Sequence, residues 1–435
     1  MTLLLKNATA VVLDPPSVTK TDIRISGGYI AERGKDLQRR NQEEVVDLKN
    51  KFVMPGFVCA HTHLYSSLSR GMPSPGRPPK SFEGILREIW WKLDRALDGD
   101  SIYYSALAGA IEAVRCGTTT IIDHHASPEA IPGSLNHIRD ALRKVGLRGV
   151  LCYEVTDRGG IKQRDLGLLE NEQFIEAHRG DDAFRGFVGA HASFTLSDKS
   201  LRACGELAAA TGTGVHIHVA EDQADVLDAR KKFGAGVIDR LNKAGVLAPS
   251  SILAHCVHLR KQEIRQVEHS GAWVVHNPRS NMNNNVGHAP IHLFGKRTAL
   301  GTDGFPADMI EEARCGFFRN RETAGRNEGD RIIKFLQSGQ DLASVIFGKK
   351  FGTLAAGSVA DLLVLDYIPP TPLTSQNLPF HFLFGWRSSL VESVMVGGKW
   401  VLWRRELVGI DEELALRKAA GAAAGLWKKI SKTRT

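Results

Sequence analysis

Two patterns of hydrophobic and polar positions divide the chain. Over residues 3–57, short apolar runs alternate with turn residues, and the stretches 3–13, 22–26, 29–32 and 45–53 are predicted as strands. Gly27-Gly28 is the predicted hairpin turn between the second and third, because the favoured two-residue turn needs a positive φ. From Gly56 to about Leu354 the pattern changes. Apolar runs at 57–60, 119–123, 147–153, 185–190, 214–219, 251–254, 273–276 and 299–302 are each followed by a polar loop and a helix-like stretch. Eight βα units over about 300 residues predict an α/β fold, a (β/α)8 TIM barrel. After Gly357 short strands return at 360–365, 390–396 and 399–402, with Gly397-Gly398 as a turn. They resemble the N-terminal strands. A small β-sandwich domain formed by both chain ends, 1–56 and 355–410, is therefore expected, with the catalytic barrel, 57–354, inserted between them. Residues 411–435 are Ala-rich and then basic, and read as a C-terminal helix and tail. The stretch 71–80 is dense in Pro and Gly and reads as a lid or an ordered turn.

Composition narrows the class. The chain has 435 residues, 43% hydrophobic and 24% charged, which suits one large core plus a smaller unit. No apolar run reaches the roughly 18 residues of a membrane span. The N-terminal MTLLLKNATAVVLDPP lacks a basic start and a small-residue cleavage site, so it reads as a strand and not as a signal peptide. Cys59, Cys116, Cys152, Cys204, Cys256 and Cys315 are scattered without a CxxC pair, which predicts reduced thiols in a cytoplasmic protein. The net charge of +8 comes in short groups such as Arg39-Arg40 and Lys428-Lys429, without a nucleic-acid motif. It reads as a solvated basic surface, with a mild preference for anionic substrates as the alternative.

The chemistry-bearing residues fall just past the C-terminal ends of the predicted barrel strands, the face that carries active sites in this fold. His61 and His63 follow strand one. Residues i and i+2 of a strand share a face, so both imidazoles can aim at one point, and two neutral imidazoles suit zinc or a similar metal. Strand five ends in His216, His218 and, three residues on, Glu221, a carboxylate placed to reach water beside a metal. His216 is read as a core or supporting histidine. Strand six leads to His255 and His258. Strand seven ends in His276-Asn277-Pro278 and continues to Ser280 and Asn281, with no role read for His276. Strand eight ends in Gly301-Thr302-Asp303, where Asp303 offers an anionic ligand or a base. Any one of these histidines is more often structural than a ligand. Their joint placement at the ends of strands one, five, six, seven and eight points to a metal site.

These residues match a known pattern. Pro55-Gly56-Phe57-Val58-Cys59-Ala60-His61-Thr62-His63 resembles the first-strand motif of the amidohydrolase superfamily. So do His218-x-x-Glu221, Ala254-His255-Cys256-Val257-His258, His276-Asn277-Pro278-x-Ser280-Asn281, Gly301-Thr302-Asp303 and the tail motif from Gly357 to Asp366. Asp123-His124-His125-Ala126-Ser127-Pro128 and Ala190-His191-Ala192-Ser193-Phe194 resemble the SsnA-type aminohydrolases, in the branch that holds guanine and adenosine-homocysteine deaminases and triazine chlorohydrolases. The resemblance implies one divalent metal, zinc before Fe2+ or Mn2+, held by His61, His63, His218 and Asp303. It implies Glu221 as proton shuttle and His255 as the partner of the attacking water, with Asp303 as the first base. His125, His191, Ser280 and Asn281 become candidates for substrate contact. Binuclear relatives carry a lysine at the end of strand four, where this chain has Gly189-Ala190-His191, so one metal is expected.

The implied activity is hydrolytic deamination of a purine-like, pterin or related nitrogen heterocycle by a metal-activated hydroxide. Hydrolysis of a cyclic amide or chloride is the alternative, and a non-catalytic scaffold the third reading. The expected partner is a small heterocyclic substrate, not nucleic acid or membrane, and the chain is expected to form a dimer or larger homo-oligomer. Segments 64–70, 81–91, 125–128, 153–160 and 304–309 are expected to line the pocket. Trp90 and Trp91 are read as core packing, with stacking on a flat ring as the alternative. Arg158 is expected to meet an anionic group or to face water.

Overall fold

A computed structural model describes residues 2–73, 79–325 and 329–432. The middle of the Pro/Gly stretch, 74–78, and the tail, 433–435, lie outside them.

The two chain ends meet in one nine-stranded sheet. The N-terminal part supplies β1 (Thr2–Val12), β2 (Ser17–Ser26), β3 (Tyr29–Gly34), β4 (Glu44–Asp47) and β5 (Phe52–Pro55). The expected single strand over 45–53 is thus two strands. A turn separates them, in which Asn50 takes a left-handed φ of 65°, and β4 and β5 pair with different halves of β1. The C-terminal part adds β15 (Leu362–Leu365), β16 (Val391–Val396), β17 (Lys399–Trp403) and β18 (Glu406–Leu407), joined through the antiparallel β5–β15 ladder. The two predicted glycine turns touch each other. Gly27, Gly28, Gly397 and Gly398 all have positive φ, and a Cβ on Gly398 would lie 2.9 Å from the Gly28 Cα. Only glycine allows both the turn and the approach.

Between the ends runs a barrel of parallel strands: β6 (Phe57–Thr62), β7 (Thr118–His125), β8 (Arg148–Val155), β9 (Phe184–Gly186), β10 (Val188–Ala192), β11 (Val215–Val219), β12 (Ile252–His255), β13 (Trp273–His276) and β14 (Thr298–Leu300). The fourth predicted strand is split at Phe187, its first piece pairing with β8 and its second with β8 and β11. Eight staves therefore stand where eight were expected. Apart from Arg185 in β9, their strands are fully buried, as the near-continuous apolar runs require for a parallel sheet covered on both faces. Val58, Ala60, Ile122, Val150, Ile252, Val275 and Ala299 fill the interior together with Phe347 and Phe351.

The ring closes at a seam. The amides of Thr302 and Asp303 donate to the His61 carbonyl at 2.8 and 3.1 Å, and the His63 amide donates to the Asp303 carbonyl at 3.1 Å. The seam thereby holds strand eight's acid beside strand one's histidines.

The terminal helix, Glu412–Ile430, starts on an Asp411 cap and buries Ala419, Ala423, Leu426 and Ile430. Its Trp427 Nε1 donates to the Leu68 carbonyl at 2.8 Å, so it braces the loop that follows strand one. Among the described residues, no helix is long and apolar enough to cross a membrane.

Candidate metal centre

Four side chains from β6, β11 and the β14 loop converge. His61, His63, His218 and Asp303 are all buried, and one ligand atom from each lies within 4.8 Å of the others. His63 Nε2 is 3.1 Å from His218 Nε2 and 2.9 Å from Asp303 Oδ1, and His61 Nε2 is 3.7 Å from the same oxygen.

Hydrogen bonds on the far side of each ring fix what faces inward. A carbonyl can only accept, so His63 Nδ1 donates to the His124 carbonyl at 2.5 Å and His218 Nδ1 to the His191 carbonyl at 2.8 Å. Each Nε2 then presents a lone pair, the arrangement that orients metal-binding imidazoles. His61 Nδ1 is 2.8 Å from His216 Nε2, and its own Nε2 is buried without a partner. His216 therefore backs His61, in keeping with the supporting role read from the sequence.

Two lone pairs aimed at each other across 3.1 Å, beside a carboxylate, call for positive charge between them. Ligands about 2.1 Å from one tetrahedral ion lie about 3.4 Å apart, and the observed spacings bracket that value. The residues thus fit a divalent cation with nitrogen and oxygen ligands. The titration of the bare site expresses the same demand. Burial drives His61 down to about 3 and His218 well below the usual histidine range. Burial also acts against charge on His63, but the hydrogen bond and charge of Asp303 outweigh it and raise that imidazole to about 9. Burial would raise Asp303; hydrogen bonds from His61 and His63 override it and hold the acid well below the usual carboxylate range.

A second triad adjoins the first. Glu221, His255 and Asp303 lie together, with His255 Nε2 3.5 Å from Glu221 and 3.9 Å from Asp303. His255 Nδ1 donates to Asn281 Oδ1 at 2.8 Å, leaving Nε2 buried and unpartnered towards the acids. Burial lifts Glu221 to about 7, with Asp303's charge adding to it and His255 opposing. Asn284 donates to Glu221 at 3.2 Å, and the Ser280 hydroxyl donates to Asp303. His255 and Asp303 both sit in the left-handed region, at φ 72° and 54°. Backbone strain of this kind in non-glycine residues costs of order 1–3 kcal/mol and collects at functional sites.

A pocket opens onto these groups, lined by His63, His218, Glu221 and Asp303 together with Tyr65, Trp90, Trp91, Asp94, Glu154, His191 and Phe194. Trp90 and Trp91, read as core, line it, on a stretch that winds as a π-helical turn over Leu86–Trp90. Of the substrate-contact candidates, His191 is on the wall, with Nδ1 2.7 Å from Thr195 Oγ1. His125 is buried off the wall with Nε2 2.9 Å from Ser127 Oγ. Ser280 and Asn281 reach Asp303 and His255 rather than the pocket wall. His276 is buried with both ring nitrogens unpartnered, and His258 bonds the Val286 carbonyl. Arg158 neither faces water nor awaits an anion: its Nη2 donates to Asp94 at 2.9 Å and to Glu154 at 3.2 Å.

Sequence reasoning missed His124, Asp94 and Asn284, and reached Glu154 only within the expected lining segment 153–160. Glu154 ends strand three, so the strand-end rule applied elsewhere would have found it. His124 was passed over for its neighbour, although adjacent strand residues face opposite sides. Asp94 sits on the short helix Trp91–Ala96 and Asn284 ends the helix Pro278–Asn283, so each enters the site only through the way its helix packs over the barrel.

Comparison with known proteins agrees with this geometry. The amidohydrolase family profile matches residues 52–401. The chain is 30% identical to a 5'-deoxyadenosine deaminase of Methanobrevibacter smithii, over 99% of each chain. It is 30% identical to a 5-methylthioadenosine/S-adenosylhomocysteine deaminase of Thermococcus sibiricus, over 92% of this chain and 94% of that one. Among solved structures, an adenosine deaminase from Xanthomonas campestris with bound zinc superposes with a TM-score of 0.85 at 22% identity, covering 98% of both chains, a likeness of fold.

Proposed function

The chain belongs to the amidohydrolase family, and from that premise we propose that it is a divalent-metal-dependent hydrolase that removes ammonia from an amino-substituted purine or related nitrogen heterocycle. The observation that carries this reading is the four-atom cluster of His61, His63, His218 and Asp303, with the His63 and His218 Nδ1 protons committed to backbone carbonyls. One zinc ion held there would supply Lewis acidity, bringing the pKa of water from about 15.7 towards about 7.

The remaining chemistry falls to side chains. Asp303 takes the proton released by the attacking water. His255, held through Nδ1 by Asn281, presents its Nε2 lone pair to the attacking water and accepts a hydrogen bond from it, orienting the oxygen for attack. Glu221, whose carboxyl burial lifts to about 7, is poised at neutral pH to give a proton and to recover it. It protonates a ring nitrogen and then assists the departure of ammonia. His216, Ser280 and Asn281 position these groups; His191 and the two tryptophans contact the flat ring. The names of the relatives, deaminases of adenosine derivatives, support the choice of leaving group and ring. Cytoplasmic residence is part of the proposal and is supported by six unpaired cysteines, five of them buried. Assembly into a homo-oligomer belongs to the same proposal.

The test is a zinc-loaded enzyme assayed for ammonia against aminopurines, their nucleosides, pterins and pyrimidines, with metal content measured on the same sample. Ammonia release without ring opening is the expected result. Ring opening or chloride release instead would replace the deaminase reading, and full turnover by metal-free His61→Ala/His63→Ala protein would end the metal-centred one.

A further inference from the structure

A second cavity reaches the metal centre. Asp303, Gly304, Asn284 and Trp90 line the pocket already described, and the same four residues line a neighbouring cavity. His63, His218 and Glu221 belong to the first alone, whereas Ser66, Ser67, Ser280 and Asn283 belong to the second alone. Trp90 divides the two. A Cβ built on Gly304 would lie 3.3 Å from Trp90 Cη2 and 3.5 Å from Ser66 Oγ. The edge of the indole therefore rests against the Gly304 backbone, in the space a side chain would take.

Hydroxyls and amides dominate the wall of the second cavity, and they touch the centre directly. The Ser280 hydroxyl donates to Asp303, and Asn284 Nδ2 donates to Glu221 Oε1 at 3.2 Å and to Ser280 Oγ at 3.3 Å. One amide thus ties the second cavity to the acid–base group of the first. Arg70 and Asn283, both exposed, stand at its mouth. The Arg70 guanidinium is already met by Glu112, so the mouth does not call for an anion.

A ring that is to be protonated by Glu221 must lie in the first cavity, since Glu221 lines no other. Each turnover also takes in one water and gives out one ammonia. The C–O bond forms as the ring C–N bond breaks, one proton of the water leaving on the ammonia and the other staying on the product. A ring seated in the first cavity stands in the way of both molecules. We propose that the second cavity is a separate passage for them, with Trp90 as its partition and Ser280 as its contact with Asp303. Water and ammonia are small, neutral and able both to donate and to accept, which suits a wall of hydroxyls and amides. The proposal rests on the metal-dependent deaminase reading, and it lets ammonia leave and water return while the heterocycle is still bound.

The test seals each cavity in turn. Phe194→Cys places a thiol on the wall of the first cavity and Asn283→Cys one at the mouth of the second. Each variant and the double variant are loaded with Mn2+ and capped with benzyl methanethiosulfonate, with the parent protein treated alike because Cys315 is half-buried. Longitudinal relaxation of solvent protons reads whether water still exchanges at the metal. Exchange should survive a cap at either position and be lost only in the capped double variant, returning when a phosphine reductant removes the caps. Loss on capping position 194 alone, or survival in the capped double variant, overturns the proposal. In the zinc-loaded enzyme, a cap at position 283 should lower kcat and leave kcat/KM unchanged, as a slowed release step does. An unchanged kcat would overturn the ammonia route. The expected exchange pattern with no ammonia from any heterocycle would instead remove the deaminase reading and leave a water passage standing. A parent chain that holds no Mn2+ would remove the metal-centred reading, and the passage with it.

Discussion

In the sheet formed by the chain ends, the buried Arg24 guanidinium lies on Glu43 and Glu32, and at the junction with the barrel Arg148 meets Asp361. At the barrel rim, His61 Nε2, His255 Nε2, His124 Nδ1 and one oxygen each of Asp94 and Asp123 are buried without partners. The backbone divides the same way. In the sheet, left-handed positions fall to Gly27, Gly28, Gly397 and Gly398 and to exposed residues such as Asn7, Asp36 and Asn50. At the rim they fall to the buried His255, Cys256 and Asp303. One region obeys the local rules and the other breaks them, and the breaches gather where chemistry is proposed. Unpaired polar atoms and strained residues cost stability, and they persist where a ligand supplies what the fold withholds.

The sharpest way to break this contrast is at Glu221. Glu221→Gln should lower kcat by about 10²–10⁴-fold, the usual contribution of a placed acid–base group, with zinc content unchanged by mass spectrometry. Turnover near wild type would strip the rim of its acid–base role. A smaller effect is expected behind the ligands. His216→Phe removes the partner of His61 Nδ1 and should weaken metal affinity by about 10–100-fold, as loss of such backing groups does elsewhere. A competition titration with a chelator reads it, and unchanged affinity would make His216 plain core.

The two regions should also answer pH in different windows once the metal is removed. Burial raises Asp123 and Glu154 to about 7 from ordinary values of 3.8 and 4.5. This carboxyl pair thus binds, in the folded rim, protons that the unfolded chain releases. Its contribution is full below about pH 4 and is lost as pH rises through 7. In the sheet, burial acts to raise Glu43 and Asp22, but hydrogen bonds from Arg24 and Lys6 prevail and lower both. Their contribution is present above about pH 4.5 and is lost as pH falls through the lowered values. The buried rim imidazoles act the other way and outnumber the raised carboxyls: burial holds His61, His125 and His276 near 3 and His124, His191, His216 and His218 well below the histidine range, so their contribution is present above about pH 6.5 and is lost as pH falls. Hydrogen exchange on metal-free protein should therefore find rim amides losing protection between about pH 7.5 and about pH 5, and sheet amides weakened only in stronger acid. Loss of protection in one shared pH window would erase the distinction. Smallest is Gly398→Ala, which places a Cβ 2.9 Å from Gly28 Cα at a φ of 76°. A loss of about 1–2 kcal/mol is expected from the left-handed residue, seen as a lower Tm with kcat and metal content intact.

The same contrast governs what could be read from the sequence. The sheet's glycine turns and the barrel's apolar runs are local signals, and the structure shows them near their expected positions. His61, His63, His218 and Asp303 were legible because strand ends in a barrel share one face. The Asp94–Arg158–Glu154 wall was not, since it joins a helical stretch to the loop after strand three and depends on how the two pack. Arg158 illustrates the loss: its charge was visible, but the two acids that consume it were not. The single strand expected over 45–53 failed for a related reason, because a turn within an apolar stretch leaves the hydrophobic pattern almost unchanged.

The seam that closes the barrel has a consequence in time. Thr62 and Asp303, 241 residues apart, meet across it, so the centre joins the first and last staves of the barrel. At about 5–20 residues per second of synthesis, His61 and His63 wait about 10–50 s for the carboxylate that completes their set. During that interval the pair exists as two imidazoles on an unclosed strand. The finished centre is therefore an attribute of the whole barrel, and no N-terminal fragment ending before Asp303 can possess it.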